Sequence, residues 1–399
     1  MGRVRLDGSR RRGPANGRDV RRRALAIYVD ISSVVHAKAG LSRYSRNLVN
    51  ALRPLLGERL RLFQNSLGRR EPPAEWNAIP TVGVRWGYRP WRALVLAGQV
   101  GRVPLDGRLP QAELYHATEH LLPYLRRIPT VLTVHDLVFE CYPEYHKAWN
   151  YRYLHLAMPL YCQRATAIIA ISEHTRHDLQ ARYGVPTDKI TVIPEAADPR
   201  FAPVDARRVI AVRRRYGLPG RYVLAVGTIE PRKNLTRLVD ACAPLFAEGQ
   251  VDALVIVGSR GWLYEDFFAH LETLPYRDQI LFPGFVSDDD LPAVYAGALV
   301  TVQPSLYEGF GLPVLEAMAC GSPVCSSDAA SLPEVGGSAA RYFDPVDTDA
   351  MSAVLRDVVS DEALREEMRS AGLAQAARFS WASTARQTLA LYDRLVSAH

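Results

Sequence analysis

Two acidic residues eight positions apart, Glu308 and Glu316, flank Gly309, Phe310, Gly311, Leu312 and Pro313. Glycines let a backbone approach a ligand closely and take angles other residues avoid, and proline suits the first turn of a helix. With Leu315, Met318 and Ala319 continuing the apolar periodicity, the stretch predicts a loop running into a helix whose N-terminus faces whatever the loop binds. Free N–H groups and about half a positive elementary charge at such a terminus favour a phosphate or a developing anion. Glu316, placed in the first turn of that helix, is expected to reach back to the same ligand. A second cluster, Arg232 and Lys233, precedes Leu235, Leu238 and Val239, the buried face of another helix. Two cations at a helix start oppose its dipole by about a few tenths of a kcal/mol each, so an anion is expected beside them. His135 and Asp136 close an apolar run from Thr130 to Val134. The plainer alternatives are two solvated acids beside a common turn and a structural histidine at a strand end.

These residues need elements to hold them. Leu299 to Val302 reads as a buried strand stopped by Pro304 and Ser305, and Gly321 and Pro323 end the helix before a strand from Val324. Such a strand, loop, helix, strand unit puts its chemistry at the carboxyl end of a parallel sheet. Other expected strands are Ala24–Val29, Glu113–Ala117, Thr130–Val134, Ala165–Ile171, 222–228, Asp252–Gly258 and Ile280–Phe282, with a long helix over Lys147–Arg164. After the first strand, a loop carrying Gly40 leads to a helix with Leu41, Tyr44, Leu48 and Leu52 on one face, with Ser42 and Arg43 beside the cleft. Gly40 there is either a phosphate cradle or a tight turn. Residues 53 to 128 read as short strands alternating with loops rich in Arg, Trp and Pro, the aromatics serving either packing or an acceptor surface. The arginines of 202–216 read as the exposed face of a linker helix, and Asp288 to Asp290 as acids of a helix start capped by Ser287 rather than metal ligands. The pattern is α/β, with two Rossmann-like domains: 24–200, 201–379, and a last helix over 380–399 returning to the first.

Length and composition agree. At 399 residues, nearly half of them hydrophobic, the chain has enough apolar material for two cores. Of its 49 basic and 42 acidic side chains, nine Arg and two Asp lie in residues 1 to 23, leaving 40 of each sign in the rest. The net charge of +7 therefore belongs to the tail, which argues against nucleic acid as partner of the folded body. The tail is too polar and Gly-rich to pack and reads as disordered. It is either a solvated extension or a peripheral contact with anionic lipid. The apolar run after Arg23 is too short for a secretory signal, and none is long enough to span a bilayer, so the expected location is cytoplasmic. Five cysteines without C-x2-C spacing read as free thiols.

The segment P-S-x-x-E-G-F-G-L-P-x-x-E-A-M-A-x-G-x-P-V, from Pro304 to Val324, resembles the signature of the retaining family 4 glycosyltransferases. The resemblance runs from about residue 25 to the C-terminus. It takes in TVHDL (133–137), the Ser172 to Arg176 segment that helps close the first domain, GTIEPRK (227–233) and PGFVSDDDLPAVYAGA (283–298). It implies a GT-B fold, with Glu308 by the donor sugar and diphosphate, Glu316 on the nucleotide ribose, and Lys233 with Arg232 on the diphosphate. It also implies Gly40 near the diphosphate, His135 on the transferred sugar, Gly258 near the nucleotide, and backbone around Val286 at the base. Two departures stand out: Thr228 where many members have Arg, and Glu195-Ala196 where the family's turn reads Asn-Gly, a change expected to alter only the turn. The implied activity is retaining hexosyl transfer from a nucleotide-sugar, GDP-mannose first and a UDP-sugar otherwise, to a saccharide or lipid-linked acceptor of cell-surface polysaccharide. No metal or other cofactor is implied. The likeness is strongest to bacterial mannosyltransferases of O-antigen and exopolysaccharide assembly. Other functions of the same site would be nucleotide-sugar epimerisation or binding without turnover.

Overall fold

In the computed structural model of this chain the described residues are 25–36, 39–67 and 71–398. The Arg-rich tail, with the disorder and lipid contact expected of it, lies outside them. The first sheet comprises β1 (Ala26–Asp30), β2 (Leu60–Asn65), β3 (Thr81–Val84), β4 (Ala112–Ala117), β5 (Thr130–Val134), β6 (Ala167–Ala170) and β7 (Ile190–Val192). All run parallel, in the order β3-β2-β1-β4-β5-β6-β7. The second comprises β8 (Tyr222–Val226), β9 (Ala253–Val257), β10 (Ile280–Leu281), β11 (Val300–Gln303), β12 (Val324–Ser327) and β13 (Ala340–Phe343), parallel in the order β10-β9-β8-β11-β12-β13. The central strands β1, β5 and β9 are buried at every residue, as continuous apolar runs in a sheet covered on both faces must be.

Where strand order reverses, neighbouring connections leave to opposite faces and a crevice opens at the carboxyl ends. In the second sheet this point falls between β8 and β11. Those two strands lead into the 227–233 and 304–311 loops, so topology alone places Lys233 and Glu308 at one crevice. In the first sheet the reversal lies between β1 and β4. The expected two-domain architecture of Rossmann-like sheets holds.

The stretch from Tyr88 to Gly101 is a helix rather than strand and loop. Gly87 precedes it and Pro90 sits in its first turn, where proline costs no intrahelical hydrogen bond. Trp91 and Val95 point inward, and buried Arg92 donates to Asn150 at 2.9 Å while stacking 3.7 Å from the Tyr153 ring centroid. Arg89 and Arg92 pack against helix Ala148–Arg164, while Trp91 packs on Phe63 of β2. On helix Ala206–Tyr216, Arg208 and Arg215 are not merely solvated either: both reach the buried Asp290 carboxylate at 2.6 Å.

The last helix, Trp381–Ser397, lies on helix Ala39–Leu56 and β4 of the first lobe. Tyr392 meets His116 Nδ1 at 2.5 Å, Trp381 packs near Tyr44, and Thr384 Oγ1 donates to the Pro194 carbonyl at 2.8 Å. His116 is deeply buried, which pushes its pKa down to about 3 and keeps the imidazole neutral. Among the described residues no helix is long and apolar enough to cross a membrane.

Candidate active site

Glu308 follows β11 and is buried. One of its oxygens accepts from Lys233 Nζ at 2.5 Å, Ser305 Oγ at 2.7 Å and Gln303 Nε2 at 2.8 Å, and the other from Arg232 Nη1 at 2.7 Å. Burial pulls its pKa upward, but Arg232 and Lys233 outweigh that and hold the carboxyl down at about 2. Burial, with Arg232 alongside, lowers the Lys233 pKa below its ordinary value in spite of Glu308. Arg232 is further fixed by Glu230, at 3.1 Å from Nε and 2.6 Å from Nη2, and by the Tyr307 carbonyl at 2.8 Å. Arg232 and Lys233 occupy a turn of 3-10 helix, Pro231–Lys233, ahead of helix Leu235–Ala247 rather than within its first turn. The anion expected beside them is thus present as protein carboxylate, Glu308 and Glu230. Gln303, Ser305 and Glu230 have no spacing signal in the sequence. They are found only once the loops converge.

Gly311, at φ +112°, starts helix Leu312–Ala319, with Pro313 in the first turn. Ser331 Oγ donates to the Glu308 and Phe310 carbonyls at 2.8 and 2.9 Å and holds the loop's shape. The Phe310 ring is turned into the core against Phe379, so only its backbone faces the crevice. Leu312 packs at the core's edge. Glu316 lies one turn further along than expected, and its partners differ from those of Glu308. Its oxygens accept from Arg43 Nη1 at 2.8 Å and Tyr295 OH at 3.0 Å. Burial raises its carboxyl to about 7 despite Arg43.

Among the other expected positions, one moves. Gly40 lies within the first turn of helix Ala39–Leu56, not in a loop before it, and the space where its Cβ would point is open. Val286 buries its side chain in the core; the residue thrust into solvent beside it is Phe285. Gly258 is explained by packing: a Cβ there would lie 1.8 Å from the Gly227 carbonyl oxygen on the neighbouring chain segment. Gly258→Ala should therefore cost about 1–3 kcal/mol or more of stability by overpacking, read as a lower unfolding midpoint of the second lobe. An unchanged midpoint would refute that packing account.

His135 ends β5 with its ring buried. Nε2 meets the Thr118 carbonyl and Nδ1 meets Glu195 Oε1, each at 3.0 Å. Both ring nitrogens are held by protein groups. What His135 presents across the crevice is its carbonyl: a Cβ on Gly309 would lie 1.9 Å from that oxygen. Glu195 does more than alter a turn, since it places a carboxylate on this histidine.

The lobes meet around the same loop. Ser172 Oγ donates to the Gly309 carbonyl at 2.7 Å and Tyr307 OH to Asp178 at 2.5 Å. Glu334 of the second lobe accepts the Glu173 and His174 backbone N–H groups, both at 2.7 Å, at the start of helix Glu173–Tyr183. The Ser172 segment therefore reaches the glycine loop itself, and Glu334, absent from the sequence expectations, caps a helix across the interface. Asp288 pairs with Arg43 and Arg200, and Asp290 with Arg208 and Arg215. Among the described residues no group of three His, Cys, Asp or Glu side chains is placed to hold a metal ion.

Two parallel-sheet lobes meet over a crevice of paired cations and carboxylates, an arrangement of the GT-B kind, and comparison with known proteins supplies the activity. Residues 39–201 match the model of glycosyltransferase family 4, and 213–375 that of glycosyl transferases group 1. The chain is 37% identical over 285 residues to the O-antigen chain mannosyltransferase B of Escherichia coli, covering 71% of this chain and 74% of that one. It is 35% identical over 275 residues to the serotype-specific mannosyltransferase WbdA of Escherichia coli, of which it spans about a third. Among solved structures, sucrose-phosphate synthase from Thermosynechococcus elongatus superposes with a TM-score of 0.75 at 21% identity, over 94% of this chain and all of the other. Anabaena HepE, solved with UDP and glucose, superposes at 0.74 and 19% identity over 93% of this chain and its own full length. The chain belongs to the family 4 glycosyltransferases.

Proposed function

We propose that the protein is a retaining mannosyltransferase that moves mannose from GDP-mannose to a saccharide or lipid-linked saccharide in cell-surface polysaccharide assembly. The observation that carries the reading is the grip of Lys233 and Arg232 on Glu308 at the carboxyl end of β11, opposite the first lobe's His135 carbonyl. A diphosphate entering there meets Lys233, the N–H groups of the Gly309–Gly311 loop and the helix start at Leu312. Together these stabilise the charge that builds as the sugar departs. Glu308, with Arg232 holding it in place, then faces the sugar, and Glu316 faces the ribose once Arg43 yields its oxygen. The acceptor hydroxyl attacks from the face the diphosphate leaves. In this reading Lys233, the loop N–H groups and the helix terminus supply the positive charge that a divalent ion would otherwise bring to the leaving group. The identity to an O-antigen chain mannosyltransferase supports mannose as the sugar and a glycan of that kind as the acceptor. UDP-sugars are the other donors to test.

The test is a panel of GDP-, UDP- and ADP-sugars with the purified full chain, with and without a lipid-linked saccharide, followed by released nucleotide and product linkage. The expected result is acceptor-dependent GDP release from GDP-mannose with an α-linked product. Release only from UDP-sugars would overturn the donor, a β-linked product the stereochemistry, and interconversion of free nucleotide-sugars would replace transfer by epimerisation.

A further inference from the structure

We propose that Glu195 is a positioning residue, whose carboxylate holds the His135 ring as a fixed imidazolium and thereby sets the carbonyl against which the Gly309 loop closes. The proposal rests on the reading of the cleft given above, but its first observation does not. A backbone carbonyl only accepts hydrogen bonds, so the 3.0 Å contact to Thr118 requires a proton on Nε2. With the Glu195 carboxylate as acceptor, the 3.0 Å contact places a second proton on Nδ1. A histidine so placed carries both protons and a charge, and that charge is buried, where it persists only with a partner.

The surroundings make the ring's position consequential. Tyr44, from helix Ala39–Leu56, meets it edge-on with centroids 4.7 Å apart, and the His120 ring lies 6.0 Å away. The His135 N–H donates to His120 Nε2 at 3.1 Å, and its carbonyl lies where a Gly309 Cβ would be. The ring is thus pinned at both nitrogens in the residue whose backbone forms the first lobe's wall. The other charged or titratable groups near it are His120, Asp136 next in sequence, His116 on β4, and Tyr44; of these only Asp136 is an acid. Glu195 itself lies between β7 and helix Ala206–Tyr216, on the segment passing from one lobe to the other, beside the Pro194 carbonyl that Thr384 holds. One carboxylate therefore joins the crossing segment to the crevice wall.

The sign of the pH dependence follows. Burial works against the charged ring, but Glu195 outweighs it and His135 has its pKa raised above 6.5. The contact is complete below 6.5 and is lost as pH rises through the higher folded value. In Glu195→Gln the two largest upward causes are gone, burial is opposed only by the Thr118 carbonyl and Asp136, and the pKa falls.

The experiment follows the His135 ring by NMR titration of the labelled full chain, in parallel with kcat and KM against pH, for wild type, Glu195→Gln and Glu195→Asp. The expected result is a His135 titration at least about one unit lower in Glu195→Gln, with the alkaline fall in kcat moved by the same amount. At pH 7.5 kcat should be down about tenfold with donor KM unchanged and should recover on acidification; Glu195→Asp should restore part of both. A ring titration unmoved in Glu195→Gln overturns the ion pair. A shifted titration with superimposable rate profiles overturns the positioning role. Absence of turnover with every nucleotide-sugar would refute the proposed function while leaving the NMR result to decide the pair. If Glu195→Gln is unfolded by circular dichroism, Glu195→Asp carries the same two comparisons.

Discussion

Lys233→Ala is expected to lower kcat by about 10²- to 10³-fold, the range seen when one preorganised donor to a developing anion is removed, with the unfolding midpoint little changed. The reason lies in how differently the two cations are held. Arg232 is pinned by two carboxylates and the Tyr307 carbonyl, so its guanidinium is part of the scaffold that orients Glu308. Lys233 has one carboxylate partner, Glu308, on a flexible four-carbon stem. It is the cation able to turn from Glu308 to an arriving diphosphate. When it is removed, Glu308 keeps Arg232, Ser305 and Gln303, which is why stability should survive while turnover does not. Steady-state kinetics with GDP-mannose beside thermal unfolding decide it; a kcat within threefold of wild type would remove Lys233 from the chemistry.

Gly309→Ala should lower activity by another route, by about 10²-fold or more. The methyl group would stand 1.9 Å from the His135 carbonyl oxygen and 2.9 Å from Asp136 Cβ, both on the other lobe. Neither is the end of a flexible side chain that could swing away, so the lobes must part locally. A displacement of about an ångström between reacting groups already costs that factor. Each lobe keeps its own core, so the variant should fold, bind nucleotide on the second lobe, and fail in transfer. Retained activity would mean that the closed contact between Gly309 and His135 is not the working arrangement. The contrast with Gly258→Ala is informative. There the clash lies within one lobe, and the cost appears in stability.

The strand, loop and helix over 299–319 could be read from the chain because each boundary is marked by a residue with a backbone reason to be there. Pro304 stops the strand, Gly311 takes a positive φ, and Pro313 opens the helix. The approach of Lys233 to Glu308 came instead from a resemblance. Local pattern specifies strands but not their order, and the two residues meet only because β8 and β11 are neighbours. The Tyr88–Gly101 helix was obscured by Gly87 and Pro90, which read as loop chemistry although both sit where a helix start tolerates them. His135 and Glu195, 60 residues apart, illustrate the limit most directly. A carboxylate replacing an amide in a turn looks local until the fold lays a histidine against it. Glu334 is similar, since an exposed acid gives no sign that the helix it caps belongs to the other lobe.

The chain passes between lobes twice, once through the residues after β7 and once before Trp381, and the two passages are fastened side by side where Thr384 holds the Pro194 carbonyl. A pair of adjacent straps acts like the spine of a book. Two adjacent straps resist sliding and twisting more than hinging, so any opening of the crevice is expected to turn about that edge. A hinge so placed would bring Gly309 back to the same carbonyl whenever the lobes close.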